Sequence, residues 1–217
     1  MKRMNHQRSP GILAAALVMA GLLVWPATGL AQLGGQLPAL GASPSTVTGQ
    51  ATAAQVVVLG LLGTATTSTL GSTGISGANS ESDLGQASGS IPSFVNAETI
   101  SAAAYSYANE VESEASLENL GLTVAGIEIT ADSIIARASQ ASGAAGTGLS
   151  TISNLAINGV PINVSGAPNQ TVAIPGGQLV INEQTISSNG TTVVNALHAT
   201  VNGVADVVIA SAKAGIS

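Results

Sequence analysis

Polar and apolar residues alternate from Val95 to Leu117, which predicts one long strand with a single wet side. Glu110, Glu112, Glu114 and Ser116 fall on its outer face, while Tyr105, Tyr107, Val111, Ala115 and Leu117 fall on the other. Ala53 to Leu62 (AAQVVVLGLL) reads differently, as a continuous apolar run of strand length suited to burial on both faces. Beyond Leu117, short strand-like segments rich in Val, Ile and Thr are separated by turn signals. Asn158-Gly159, Asn189-Gly190 and Asn202-Gly203 suit hairpin turns with positive φ, and Pro175-Gly176-Gly177 marks a further reversal. The segment 71–93 is rich in Gly and Ser and is expected to be a long surface loop.

One nine-residue text occurs twice. Ala131 to Ser139 and Ala205 to Lys213 share A-D-x-[IV]-I-A-x-A-x. Strict alternation would place Asp132, Ile134, Ala136 and Ala138 on one face, with Asp206, Val208, Ala210 and Ala212 as their copy. Arg137 and Lys213 would take the other face. A lead-in also recurs, as Leu117-Glu118-Asn119-Leu120 and Ile152-Ser153-Asn154-Leu155. The expected fold is therefore all-β: an antiparallel two-sheet sandwich or jelly-roll-like domain containing a duplicated strand unit. A flattened β-solenoid is the alternative, suggested by the many small packing residues.

The N-terminus belongs to a different class of segment. Lys2, Arg3 and Arg8 precede an apolar run from Gly11 to Trp25, and Pro26 then breaks it. This predicts a helical secretory signal peptide over residues 1–31, cleaved between Ala31 and Gln32, on the general secretory route. Residues 32–48 read as a flexible leader and 49–217 as a single domain. Cleavage would remove three of the five basic residues, leaving Arg137 and Lys213 against eleven acidic ones, a formal balance of −9. Such a surface repels phosphate backbones, so no nucleic-acid partner is expected, and no membrane span is expected after signal removal. The chain has no cysteine, so burial and sheet hydrogen bonds must hold an extracellular domain together. Phe94, Tyr105 and Tyr107 are the only aromatics beyond the signal, so the expected layers are thin.

Candidate chemistry is sparse. Three glutamates in a row could hold a metal, yet like charges about 7 Å apart in water cost only about 0.6 kcal/mol per pair, so a solvated face suffices. Asp132 and Asp206, with Glu128 close in sequence to the first, are the candidates for a calcium site shared between the two copies; the competing role is to accept backbone N–H groups where strands begin. His198 is the only histidine beyond the signal, and Asp132 or Asp206 could orient it, but no G-x-S-x-G elbow accompanies it. A hydrogen-bonded structural histidine is the expectation. No catalytic residue and no cofactor is assigned, calcium aside.

The runs Val164 to Val172 (VSGAPNQTV), Leu179 to Gln184 (LVINEQ) and Val194 to His198 (VNALH), leading into Ala205 to Ala212, resemble the choice-of-anchor P family. These are bacterial exported proteins whose common domain is joined to differing C-terminal sorting signals. The resemblance spans about Gly49 to Ile216 and is tightest in the C-terminal half. It implies a secreted or cell-surface location and no established catalysis. The chain stops at Ser217 without a sorting motif, so it is expected to be released, or held by a partner or by its own assembly.

The function expected from all this is a non-enzymatic exported structural or adhesion module of the cell envelope or extracellular space. Its partner would be an envelope component or another copy of itself, engaged through sheet edges. Val56, Val57, Val58 and Leu59, in the early apolar run, are the expected assembly strand. The alternative is a secreted binding module for surface glycan or a small ligand, although two tyrosines offer little stacking surface.

Overall fold

The computed structural model describes residues 46–60 and 64–217; the signal peptide, its Ala31–Gln32 cleavage site and most of the leader lie outside them. Two antiparallel sheets pack face to face as a sandwich and do not close into a barrel, and no helix occurs among the described residues. The strands are β1 (Val47–Leu59), β2 (Ala65–Ser76), β3 (Glu81–Ile91), β4 (Val95–Ser106), β5 (Glu110–Val124), β6 (Ile127–Ala141), β7 (Thr147–Ser153), β8 (Ala156–Ile157), β9 (Val160–Pro161), β10 (Gln170–Ile174), β11 (Gly177–Ile186), β12 (Thr192–Val201) and β13 (Ala205–Ile216). The first sheet runs β10-β11-β12-β13-β1-β2. The second runs β3-β4-β5-β6-β8-β9, with β7 also paired to β6. The chain changes sheets only between β2 and β3 and between β9 and β10. Each sheet is thus built from meanders rather than jelly-roll crossings, and antiparallel pairing excludes the solenoid.

Several expectations change. Residues 71–93 are not a loop: they contain the end of β2, a turn at 77–80 and all of β3. Their Gly and Ser content reflects sheet-edge strands with little to bury, not irregular backbone. Val95 to Leu117 is two strands, because the chain reverses at Tyr107-Ala108-Asn109 without the Gly or Pro that would have announced a turn. Tyr105 consequently lies on the wet side, where it pairs with Glu112, and Tyr107 is exposed in the turn. Glu110, Glu112 and Glu114 do face outward, over buried Val111, Ala115 and Leu117.

Alternation also changes phase midway through both sheets. In the first sheet Ile181/Asn182, Ala196/Leu197, Ile209/Ala210 and Ala53/Ala54 are successive residues that both face inward. Asn182, Ala210 and Gly71 hold φ of 53°, 49° and 55°, the left-handed conformation that turns the next side chain to the opposite face. In the second sheet the paired residues face outward instead, at Glu98/Thr99, Glu118/Asn119 and Asp132/Ser133, with positive φ at Thr99 and Asn119. One crease therefore crosses each sheet. The duplicated text consequently does not produce duplicated faces. Asp132 points out while Ile134 points in, and Asp206 and Val208 both point out before Ala210 and Ala212 turn in. Arg137 and Lys213 are exposed as expected.

The core is alanine, valine, leucine and isoleucine, with no aromatic ring fully buried among the described residues. The two copies of the repeated text pack against each other across it, one from each sheet. Buried polar groups brace the layers. Gln140 of β6 accepts from the Ile216 backbone N–H at 2.9 Å and donates to the Asn189 carbonyl at 3.0 Å, while Ser113 of β5 donates to the Lys213 carbonyl at 2.8 Å. Each bond satisfies groups that would otherwise be stranded away from water.

Candidate functional site

The most organised polar cluster lies on the outer face of the first sheet, where β11, β12 and β13 run side by side. His198 stands in the middle of β12, between β11 and β13. Its Nδ1 lies 2.9 Å from Glu183 Oε2 on β11, and its Nε2 lies 3.0 Å from Asp206 Oδ2 on β13. Asn195 Nδ2 donates to the same Glu183 oxygen at 2.6 Å, fixing the carboxylate from the same strand as the histidine.

Ionised carboxylates only accept hydrogen bonds, so both ring nitrogens must carry protons for both contacts to be made. Burial alone would lower the pKa of His198, but its hydrogen bonds to Glu183 and Asp206 and their charges outweigh that, and the pKa is raised. The ring is 22% exposed and clamps three adjacent strands. A histidine serving as general base needs one free lone pair aimed at a nucleophile. Here the second nitrogen is directed at another carboxylate instead.

The calcium candidates are not brought together. Asp132 and Glu128 sit on the outer face of β6 in the second sheet, while Asp206 sits on the outer face of β13 in the first. The thickness of the sandwich separates Asp132 from Asp206, so one ion cannot bridge the two copies. Nor do their carboxylates receive a backbone N–H at a strand start. Asp132 accepts from Asn154 Nδ2 at 2.6 Å and Asp206 is engaged by His198, while Asn158 Oδ1 holds the backbone N–H of Glu128 at 2.9 Å. Among the described residues, no group of three or more His, Asp or Glu side chains is arranged to hold a metal.

Charge is divided unequally between the faces. Nine of the eleven acidic residues lie on β3 to β6, all on the outer face of the second sheet, with Arg137 as the only cation there among the described residues; it pairs with Glu114. Tyr105, on this face, has its phenol pKa raised by desolvation and then by Glu81, Asp83 and Glu114. One open groove, about 590 Å³, is lined by Thr48, Gln50, Ser72, Ser76 and Lys213 among others and contains no aromatic ring.

Val56 to Leu59, the expected assembly strand, form the end of β1. β1 pairs with β13 on one side and β2 on the other, so both of its edges are already used within the chain. Sequence reasoning missed Glu183 as the second partner of His198. Its one visible signal was that Glu183, His198, Asp206 and Lys213 are the only ionisable side chains after Arg137. In comparisons with known proteins, the chain matches no family model, no curated protein and no solved structure.

Proposed function

We propose that this protein is a non-enzymatic, exported structural or adhesion module of the cell envelope or extracellular space, able to associate through its sheet edges. The observation that carries this reading is where the polar chemistry goes. His198, Glu183, Asp206 and Asn195 bond one another across three strands, and Gln140 and Ser113 tie one sheet to the other. The side chains best suited to catalysis are committed to holding the body together. The signal-like N-terminus, the absence of cysteine and the resemblance to choice-of-anchor P proteins support export. Edge association is supported by an open sandwich, in which end strands retain unpaired backbone groups.

The test is to produce the full chain in a secreting bacterial host and fractionate the cells. The reading predicts recovery from the envelope or medium with Gln32 as the first residue. Uncleaved protein confined to the cytoplasm would overturn it.

A further inference from the structure

Five strands border the two sheets or lie beside a border, and they are not equally guarded. β10 has five residues and is flanked by Pro168 and Pro175. β9 has two residues, one of them Pro161, which has no N–H to offer. The free side of β7 is partly occupied, since the Gly148 carbonyl accepts from Gln184 Nε2 at 3.1 Å. β3 carries Glu81 and Asp83, which would meet like charges in another acidic molecule. β2 has none of these devices. It is twelve residues long, with no charged residue and no proline, and among the described residues it pairs only with β1. Natural sheets ordinarily blunt such an edge with lysine, proline or a covering segment.

We infer that the outer edge of β2 is a pairing surface for the β2 of a second copy of this chain. The inference rests on the assembly part of the function proposed above and names its contact. Three observations select a second copy as the occupant. Apart from Ala65, the strand's exposed side chains are Thr66, Thr67, Thr69, Ser72 and Ser76, hydroxyls that serve as both donor and acceptor and so complement themselves across a two-fold axis. The chain is acidic overall, but its carboxylates are concentrated on the outer face of the other sheet. β2 itself carries no charged side chain, so two copies paired there set no carboxylate of one β2 directly opposite a carboxylate of the other. Finally, β2 ends its sheet next to β1, so antiparallel addition would extend both six-stranded sheets into one continuous sheet. Thr67 and Thr69 stand on the outer face, so lysines there would oppose lysines in the second copy without entering either core.

The experiment is sedimentation velocity on the exported protein over a concentration series, for the native chain, the Thr67→Lys/Thr69→Lys variant, and Ser88→Lys on β3 as control. The native chain and the control should move from monomer to dimer mass as concentration rises. The double-lysine variant should show a dimer dissociation constant raised by about tenfold or more, with an unchanged melting midpoint. Because the chain has no cysteine, Thr69→Cys and Ser72→Cys provide a second measurement. Oxidation should link two copies through one of these positions near the middle of β2, and not through Ser88→Cys. Association that survives both lysines and gives no crosslink at β2 overturns the edge assignment while leaving self-assembly standing. A monomer at every concentration overturns self-assembly as well, and export is judged separately by fractionation.

Discussion

Gly49 measures how closely the two layers approach. A Cβ built there would lie 3.0 Å from Ser113 Oγ and 3.1 Å from Val111 Cγ2, both on the opposing sheet. Valine is a better strand former than glycine, yet Gly49→Val should lower stability by about 1–3 kcal/mol, because there is no room for the added atoms. The urea midpoint checks this, and an unchanged or higher midpoint would contradict it. At His198 the outcome depends on pH. A histidine whose folded pKa is raised contributes stability that is fully present below its unfolded value of about 6.5 and is lost as pH rises through the folded value. His198→Gln should therefore reduce the melting temperature most in mildly acidic buffer, with the deficit shrinking above neutrality. A deficit independent of pH would mean that the ring acts through packing alone. The Asp206 contact was legible in the sequence as a candidate pairing. Glu183 was not, because its approach depends on the β11–β12 register, and the residue directly opposite His198 is Val180.

At the scale of elements, the turns were the most readable feature. Gly159, Gly176, Gly190 and Gly203 all adopt positive φ at the expected reversals. The crease was visible only as an unexplained repetition. Asn119 and Asn154, the shared asparagines of the two lead-in motifs, both take left-handed φ, and each is followed by a buried leucine, Leu120 or Leu155. They flank Asp132 on either side of β6. The motif thus marks where the faces turn over, a tertiary event that strict alternation cannot represent. Hidden too was the long reach of β1, which joins β13 from the far end of the chain. Val47, Ala51, Ala53, Ala54 and Val56 of this strand are all buried. A chain lacking residues 47–59 should lose its cooperative thermal transition in far-UV circular dichroism, since β2 would have no strand to pair with and the core would open. A retained sharp transition would contradict this.

The whole molecule has one face that is almost entirely acidic and another that is nearly neutral. Glu98 and Glu118 are direct cross-strand partners on the acidic face, a like-charge pairing that sheets normally avoid. Raising salt from low to physiological strength should screen this repulsion and raise the melting midpoint. A midpoint that fell would mean that ion pairs such as Arg137–Glu114 and the His198 clamp outweigh it. β1 completes a sheet with β13, and among the described residues β2 is that sheet's border strand. Residue-resolved amide hydrogen exchange tests this most directly. β1 and β13 amides should exchange only through global unfolding, while β2 should show protected and fast amides in alternation, the fast set slowing as concentration rises. Fast exchange throughout β1, or uniform protection along β2 in dilute monomer, would contradict this strand order.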